Sequence, residues 1–245
     1  MFASGILGGD PNLRFIVTSR FGGRSSPPFD SLNLANGVGD RDEDVDSNRS
    51  MAATAIGVRA DRLAITGSVH GARVRVVDAG GVVPGCDALV TSDRDLALAA
   101  LAADCVPVGL ADPQAGVIAA VHCGWRGLTV DVVAATVDQM RLVGAKALVA
   151  VIGPSVCAPC YGVPRERIAA LRSTLSASAF AAACPSEDPV IDVAAAVRAQ
   201  LAECGVSVEV HVPGCTMETP ALFSFRRDQR TGRHGLLIAQ GEGRG

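Results

Sequence analysis

The sequence predicts one domain of mixed α/β (α+β) structure over residues 1–245. Short runs rich in β-branched residues alternate with longer segments whose apolar residues recur every three to four positions, which is typical of strands and amphipathic helices. No linker, repeat or low-complexity tract divides the chain, and its length suits a single α/β domain. Hydrophobic residues make up 49% of the chain but aromatic residues only 4%, so the core is expected to consist mainly of Ala, Val, Leu and Ile.

The predicted strands are apolar or β-branched runs bounded by turn residues. In chain order they cover 15–18, 63–69, 73–77, 87–92, 96–103, 106–110, 117–121, 147–152, 207–212 and 235–239. Only His70, Gly71 and Ala72 separate the second strand from the third, which predicts two strands that meet at a tight connection. The strands 106–110 and 117–121 flank a turn at Asp112-Pro113 and predict a buried pair.

Four segments predict helices. The segment 42–56 carries acidic residues in its first turn, where the helix dipole favours them. In 127–143 the apolar period changes from two to about three and a half. The segments 164–175 and 190–204 have the same helical pattern, and a glycine that is a suitable stop follows the second.

Composition and charge exclude several classes of partner. The net charge is −3 and no Lys- or Arg-rich run is present, which argues against a nucleic-acid partner. No apolar run reaches the roughly 18 residues that span a bilayer, and residues 1–13 lack the pattern of a signal peptide. We therefore expect a cytoplasmic protein without a membrane partner, with reduced cysteines. The oligomeric state is open, with a monomer favoured.

Residues with chemical potential concentrate in the segment 103–128, which holds a thiol, an imidazole, a guanidinium and the single tryptophan of the chain. Cys105 precedes one strand of the buried pair and His122 follows the other. Antiparallel pairing across the turn at Asp112 would place these two side chains side by side.

His70 also follows a predicted strand. Two imidazoles and one thiolate are a sufficient ligand set for a catalytic zinc ion with an open fourth position. The spacing does not match a closed zinc finger, however, and a lone histidine at a strand end is more often structural or solvated. On the residues alone, both roles stay open for His70, Cys105 and His122.

Cys157 and Cys160 form a Cys-x-x-Cys motif in a predicted loop. Such a motif occurs in redox proteins and in zinc ribbons. A zinc ribbon needs a second cysteine pair, and the His-x-Glu and Pro-Cys-x-x-Cys pattern of nucleoside deaminases is absent. We therefore predict that neither cysteine is a metal ligand.

Several dispersed motifs occur in the order found in one known family. They are Thr18-Ser19-Arg20-Phe21-Gly22-Gly23, Ser31-Leu32-Asn33-Leu34, Val69-His70-Gly71, Asp87-Ala88-Leu89, Ala103-Asp104-Cys105, His122-Cys123-Gly124-Trp125-Arg126-Gly127, Phe223-Ser224-Phe225-Arg226-Arg227-Asp228 and Thr231-Gly232-Arg233. By these motifs the chain resembles the YfiH family, also called the laccase-domain or polyphenol oxidase family. The resemblance implies a CNF-like, four-layer α/β/β/α sandwich with two mixed sheets between helices.

Bacterial members of that family are described as zinc-dependent purine nucleoside phosphorylases. The resemblance implies phosphorolysis of adenosine and inosine, with methylthioadenosine as a further candidate, and adenosine deaminase as a side activity. It implies that zinc, and less readily copper, binds to the catalytic residues His70, Cys105 and His122. The implied substrate-binding residues are Arg20, Asn33, Arg49, Arg126 and Arg226.

Among the candidate phosphate ligands, Arg126 is expected where the helix after His122 begins. Backbone N–H groups and a guanidinium at that point suit an oxyanion. The sequence does not rank the arginines. It also departs from the family pattern, with Ser68 in place of glutamine, Cys123 in place of alanine and Gly162 in place of glutamate.

Other functions stay open. In a metal-free thiol hydrolase or deamidase, Cys105 would be the nucleophile and His122 the base. Copper-dependent phenol oxidation is disfavoured because a multicopper site needs more than the four histidines present. Editing of peptidoglycan precursors is a role attributed to some family members. A binding module without activity would leave an open metal site unexplained.

Overall fold

Twelve strands form two six-stranded sheets in the computed structural model, which describes residues 1–241. The strands are β1 (Ala3–Leu7), β2 (Asp10–Val17), β3 (Leu63–Gly67), β4 (Val74–Val76), β5 (Gly81–Pro84), β6 (Ala88–Thr91), β7 (Ala97–Ala102), β8 (Val106–Asp112), β9 (Val117–Cys123), β10 (Val149–Ile152), β11 (Ser207–His211) and β12 (His234–Gln240). The helices are α1 (Asp42–Ile56), α2 (Trp125–Thr129), α3 (Val132–Leu142), α4 (Arg165–Thr174), α5 (Ala177–Ala183), α6 (Val193–Glu203) and α7 (Phe225–Asp228).

Both sheets are mixed. The first has the strand order β1-β2-β12-β7-β3-β5, and the second has the order β11-β10-β8-β9-β6-β4. In the first sheet β3 runs parallel to β5 and β7, and in the second β10 runs parallel to β11 and β4 to β6. The remaining pairs are antiparallel.

The central strand β9 shows why its sequence is a continuous apolar run. Ile118 and Ala120 pack into the core between the two sheets. Val117, Ala119 and Val121 alternate with them and pack into the core under the helices. Because successive side chains of a strand point to opposite faces, a strand that is buried on both faces needs apolar residues throughout.

Helices cover the outer face of each sheet. Ala52, Ala53 and Ile56 of α1 pack with residues of β7 and β12 on the outer face of the first sheet. Buried residues of α3 and α6 pack in one cluster with β8, β9 and β10 of the second sheet. Helix, sheet, sheet and helix are therefore successive layers, and the implied four-layer α/β/β/α sandwich with two mixed sheets is confirmed.

The single helix predicted over 127–143 is wrong, because two helices occupy this segment. The short α2 ends at Thr129, and Asp131 adopts a left-handed conformation with φ 51°. The Asp131 side chain then accepts a hydrogen bond from the backbone N–H of Ala134 and caps α3. A turn of this kind interrupts the backbone without interrupting the apolar period, so the sequence pattern did not reveal it.

The tight β3-β4 connection predicted around His70 is also wrong. β3 belongs to the first sheet and β4 to the second, so the residues between them cross from one layer to the other. The same is true of β6 and β7. Apolar periodicity reports which residues are buried but does not report which strand is the hydrogen-bonded neighbour.

The edge strands β1 and β5 and the helix α5 were not predicted. In β5 only one of four residues is partly buried and the others are exposed, so it has no apolar pattern. Within the described residues, no helix combines the length and the apolar character that crossing a membrane requires.

Candidate metal centre and cavity

Among residues 1–241, two groups of side chains could hold a metal ion. The first consists of His70, Cys105 and His122, called here the His-Cys-His centre, whose donor atoms all lie within 4.8 Å of one another. His70 lies on the crossing from β3 to β4, and Cys105 lies on the crossing from β7 to β8. The centre is therefore built where the chain passes from one sheet to the other.

The register of the central pair brings two of these residues together. β8 and β9 are antiparallel, and their register aligns Val106 with Cys123 and Pro107 with His122. Cys105 comes directly before this ladder and is diagonal to His122. The juxtaposition predicted from the apolar runs and the turn at Asp112 follows from this pairing.

The centre is a compact cluster of rings and sulfur. The Cys105 Sγ lies 3.9 Å from the His70 Nε2. The two imidazole rings meet edge to face, with centroids 4.9 Å apart and an angle of 89° between their planes. A Cβ atom added to Gly124 would lie 2.8 Å from the Cys105 Sγ and 3.3 Å from the His70 Cδ2, so only glycine fits beside these two side chains.

The electrostatics of the centre favour a thiolate. Burial raises the pKa of the Cys105 thiol, but the adjacent His122 and His70 outweigh it and lower that pKa to about 6. Burial lowers the pKa of His122, but Cys105 and Asp87 outweigh it and raise that pKa to about 9. The deprotonated sulfur is the form that binds metals and acts as a nucleophile.

Asp87 holds two of the three residues of the centre in place. Its fully buried carboxylate lies 3.0 Å from the His122 Nδ1 and accepts hydrogen bonds from the backbone N–H groups of Val69, His70 and Gly71. These bonds fix a backbone in which His70 has a φ of 62°. With Nδ1 engaged, Nε2 of His122 is free for the centre, which is the usual arrangement behind metal-bound histidines.

The donor set fits zinc. A tetrahedral zinc ion with ligand distances of about 2.0–2.3 Å separates its ligand atoms by about 3.3–3.8 Å. Three donors within 4.8 Å of one another can reach such positions through small side-chain rotations. Three protein ligands leave the fourth position open, as in catalytic zinc sites.

A cavity of about 890 Å³ opens over the centre. Four guanidinium groups line it, those of Arg49, Arg167, Arg226 and Arg233. Burial lowers the pKa of Arg49 and Arg233, and an anion in the cavity would offset this desolvation of their charges. The cavity therefore combines a metal-competent floor with walls that suit an anionic ligand.

Two of the predicted substrate-binding residues line the cavity. The Arg49 Nε donates a hydrogen bond to the Leu34 carbonyl at 2.9 Å. The guanidinium of Arg226 lies 4.7 Å from the centre of the Tyr161 ring, and its Nη1 donates to the carbonyl of Gly162. Each side chain is therefore held in place by a hydrogen bond to a backbone carbonyl.

The other three do not line the cavity. Arg20 forms ion pairs with Asp30 and Asp228. The exposed Arg126 lies with its guanidinium 5.1 Å from the centre of the Trp125 ring. Substrate binding by Arg20 and Arg126 stays a prediction of the family resemblance.

Asn33 is fully buried. Its side chain donates to Asp40 and accepts a hydrogen bond from the backbone N–H of Arg233 at 2.9 Å. Asn33 therefore positions a cavity residue without lining the cavity itself.

Sequence reasoning missed several residues of the site. Asp104, with a φ of 96°, accepts hydrogen bonds from Thr216, Ser224 and the backbone of Arg226. Its position directly before Cys105 in the sequence could have indicated that it belongs to the site. Arg167 lies on α4 and resembles any exposed helix arginine, so no signal was available for it.

The three departures from the family pattern lie in different surroundings. Ser68 lines the cavity and bonds to Thr66. Cys123 is fully buried in the core under the helices, and burial raises the pKa of its thiol well above the usual value. A Cβ atom added to Gly162 would meet nothing within 4 Å, so a larger side chain has room there.

The second metal-competent group consists of Cys157, Cys160, Cys215 and Glu218 and is called here the thiol cluster. The Cys-x-x-Cys motif therefore has two further donor residues beside it, although no second cysteine pair complements it. That neither of its cysteines is a metal ligand stays a prediction from the sequence. Cys215 and Glu218 lie far along the chain and complete a set of four donors, and spacing alone could not reveal this.

Similar proteins share both sequence and fold with this chain. The chain is 46% identical over 226 residues to a protein of Streptomyces coelicolor named purine nucleoside phosphorylase, covering 89% of this chain and 92% of that protein. It is 40% identical over 231 residues to a Mycobacterium tuberculosis protein of the same name, covering 92% and 91%. The crystal structure of the hypothetical protein YfiH of Bacillus licheniformis superposes with a TM-score of 0.89 at 27% identity, covering 98% and 97%.

A second solved structure, that of YlmD from Geobacillus stearothermophilus, superposes with a TM-score of 0.84 at 31% identity, covering 95% of this chain and 93% of that one. The family profile described as multi-copper polyphenol oxidoreductase laccase matches residues 14–240. The chain therefore belongs to this laccase-domain family, the YfiH family that its dispersed motifs indicate.

Proposed function

We propose that this protein is a zinc-dependent purine nucleoside phosphorylase. The observation that carries the proposal is the His-Cys-His centre on the floor of a cavity with four arginines in its walls. Relatives with 35–46% identity are named purine nucleoside phosphorylase, which supports the same reaction here. The cavity volume of about 890 Å³ lies within the range of small-molecule sites and accommodates a nucleoside together with phosphate.

In phosphorolysis a phosphate oxygen forms a bond to C1′ of the sugar as the bond from C1′ to the purine nitrogen breaks. The purine leaves with the bonding electron pair and takes up a proton. The reaction needs phosphate held in line with the breaking bond and stabilisation of charge in the transition state. Arg49, Arg226 and Arg233 supply desolvated or partly desolvated N–H donors for the phosphate oxygens.

Tyr161 and Phe225 also line the cavity and offer aromatic faces to a purine ring. Zinc at the His-Cys-His centre would supply Lewis-acid polarisation of an oxygen or nitrogen of the substrate. Asp87 orients His122 and keeps its Nδ1 engaged, so that Nε2 stays available as a ligand. Adenosine and inosine are the proposed substrates, with methylthioadenosine as a further candidate.

Adenosine deamination is the proposed side activity of the same centre. His70, Cys105 and His122 would hold the zinc, which would supply activation of water for attack on a purine. Water adds to the ring carbon that carries the amine, and ammonia leaves to give inosine. Deamination needs the base next to His70, Cys105 and His122, whereas phosphorolysis needs C1′ next to the phosphate. The two reactions therefore need different orientations of the nucleoside.

One observation favours a rival thiol hydrolase. Cys105, with a pKa of about 6, lies beside His122, and Asp87 lies on the far side of that imidazole, an arrangement like that of a nucleophile, a base and an orienting carboxylate. A bound metal would quench such a nucleophile. Metal content therefore separates the two functions.

The test is metal analysis of the purified protein together with a panel of nucleosides, with and without inorganic phosphate. We expect zinc at the His-Cys-His centre and phosphate-dependent release of free purine and pentose 1-phosphate. Conversion of adenosine to inosine without phosphate would measure the side activity. A metal-free protein that turns over no nucleoside, but hydrolyses an amide or ester substrate until a thiol-alkylating reagent modifies Cys105, would favour the hydrolase instead.

A further inference from the structure

The thiol cluster lies outside the proposed reaction. Its four donor atoms, three sulfurs and one carboxylate oxygen, all lie within 4.8 Å of one another. Three of its residues are partly exposed and Glu218 is exposed, so the cluster is at the surface. Cys157 and Cys160 belong to the loop after β10, and Cys215 and Glu218 belong to the segment after β11.

Two turns of the same kind face each other in this cluster. Cys157 and Cys160 are three residues apart, as are Cys215 and Glu218. In each turn the backbone N–H of the later residue donates to the carbonyl of the earlier one at 3.1 Å. This bend brings the two side chains of each turn to the same side, as in closed tetrahedral zinc sites with two-residue spacings.

The two turns are also held in register. Ser155 and Cys215 form a parallel β-bridge, and the backbone N–H of Thr216 donates to the carbonyl of Ser155 at 3.1 Å. The backbone N–H of Cys157 points at the Cys215 Sγ at 3.3 Å. Hydrogen bonds of this kind to a sulfur are the outer-shell support that stabilises a metal-bound thiolate.

The side chains of the cluster have weak contacts with one another. The Cys160 Sγ lies 3.4 Å from the Glu218 Oε1, a bond from a weak donor. Burial, together with Cys157 and Glu218, raises the pKa of Cys160 to about 12. A divalent cation among these donors would stabilise the thiolates that otherwise repel one another.

We propose that Cys157, Cys160, Cys215 and Glu218 bind a second zinc ion, in a closed structural site. Three sulfurs and one carboxylate oxygen complete a tetrahedral set with no open position. Thiolate ligands favour zinc over magnesium or calcium. Each thiol that binds releases its proton to solvent, so that binding is coupled to pH.

The proposed site joins two segments that support the cavity. Tyr161, which lines the cavity, directly follows Cys160. Thr216 directly follows Cys215, and its Oγ1 donates to the Asp104 carboxylate at 2.6 Å. Asp104 in turn precedes Cys105. A metal in the thiol cluster would therefore stiffen the wall of the cavity and the backbone beside one ligand of the His-Cys-His centre.

The test uses the full chain with the His-Cys-His centre disabled by Cys105→Ala. Purified with a reductant and without chelator, this variant is expected to retain about one zinc per chain, as expected for a four-ligand site. Adding Cys157→Ser and Cys160→Ser removes that zinc. The matched control adds Cys184→Ser, which alters a partly exposed cysteine outside both groups and leaves the zinc in place.

Cobalt gives a second readout on the same proteins. Co²⁺ in the Cys105→Ala variant is expected to show an intense thiolate-to-metal absorption band, and Cys160→Ser weakens that band by removing one of its thiolates. If the serine variants fail to fold, alkylation of the Cys105→Ala variant still decides the matter. Zinc protects three thiols relative to the chelated protein, and intact mass counts them.

Three results would each overturn the second site. They are a Cys105→Ala protein without zinc, zinc retained after Cys157→Ser and Cys160→Ser are added to it, and thiols that zinc does not protect. A disulfide within the cluster under these reducing conditions would do the same. None of these measurements depends on turnover of a nucleoside, so failure of the proposed activity and failure of the second site are told apart.

Discussion

In the His-Cys-His centre, two donors come from segments that cross between the sheets and the third comes from the end of β9. The thiol cluster takes its four donors from two short turns. The first lies on the floor of a cavity and has a buried carboxylate behind it. The second lies at the surface and is supported by backbone N–H groups. Three donors leave a position for a substrate, while four donors close the site.

The two groups make different demands on the fold. The His-Cys-His centre exists only if β8 and β9 pair in the observed register, because a slip of one residue would turn His122 to the other face. The thiol cluster needs only that two turns face each other. The His-Cys-His centre therefore depends on strand pairing in the core, whereas the proposed structural metal site depends only on surface loops.

The largest effect is expected from removing the sulfur of the open centre. Cys105→Ala leaves two imidazoles, which bind zinc weakly, and we expect total zinc to fall by about one ion per chain. Phosphorolysis is expected to fall by a factor on the order of 1,000 or more, which corresponds to about 4 kcal/mol of transition-state stabilisation. Elemental analysis and steady-state kinetics measure the two effects.

The matched control is Cys123→Ala, which removes a sulfur from the adjacent strand end. This side chain is buried in the core under the helices, so its loss should cost some stability and leave zinc and activity in place. Full zinc and activity in Cys105→Ala would show that Cys105 is not a ligand and that the centre is not an open site with three donors.

A smaller loss is expected from the carboxylate behind the centre. Asp87→Asn keeps the shape of the side chain but removes the negative charge that orients His122. We expect zinc affinity to fall about 10- to 100-fold, measured by competition with a chelator. Zinc bound by the thiol cluster should be unaffected, so a single titration would resolve one weakened and one unchanged site.

Asp112→Asn is the control for that change. Asp112 is also a buried carboxylate, but its oxygens accept hydrogen bonds from backbone N–H groups, including those of Lys146 and Ala147. It should lower thermal stability without changing zinc affinity. Equal zinc affinity in Asp87→Asn and the wild type would show that the carboxylate supports the fold alone.

Much of the fold could be predicted from the sequence because burial leaves a strong pattern. The helix α1 has the predicted bounds 42–56, and the apolar runs of β8 and β9 were identified. The partners of β3 and β4 could not be predicted, since an apolar run does not specify which layer it joins. Edge elements such as β5 were missed because exposure removes the apolar pattern.

The candidate site was predictable only in part for a related reason. Residues at strand ends, such as Cys105 and His122, are positioned by a pairing that the sequence indicates. Arg167 on α4 reaches the cavity through helix packing, which leaves no local signal. Cys215 is brought beside Cys157 by its β-bridge to Ser155, outside the regular strands, so only the three-dimensional structure shows that the two cysteines are neighbours.

A third prediction concerns the anion-binding wall of the open site. Arg49→Gln can keep a hydrogen bond to Leu34 but loses the charge in the cavity. We expect kcat/KM for phosphate to fall by a factor on the order of 10 to 1,000, which corresponds to about 1.4 to 4 kcal/mol. Deamination, which uses no phosphate, should change much less.

Arg126→Gln is the matched control, because the exposed Arg126 stacks on Trp125 outside the cavity. It should change kcat/KM by less than about threefold, within the small effect of an exposed charge. If Arg126→Gln reduces phosphate use more than Arg49→Gln, the phosphate lies at the start of α2, as the sequence motif implied.

The smallest effect is expected where the two groups are mechanically connected. The Thr216 Oγ1 donates to Asp104, which lies beside Cys105. Thr216→Val keeps the shape and removes this bond to a charged acceptor, so we expect a loss of about 1–2 kcal/mol in the free energy of unfolding. Both metals should remain bound. Thr129→Val, which removes a hydroxyl bonded to a carbonyl of α2, is the control for the substitution itself.

The catalytic consequence of Thr216→Val decides whether the thiol cluster acts on the open centre. If the turn that carries Cys215 holds Asp104 and through it the backbone of Arg226, kcat should fall a few-fold while the zinc content stays unchanged. Removing the metal of the thiol cluster with Cys157→Ser and Cys160→Ser should then lower kcat by the same factor. A variant that combines these two changes with Thr216→Val should lose no more kcat than either, since changes that act through one contact are not additive. Additive losses would mean that the two groups influence the cavity separately.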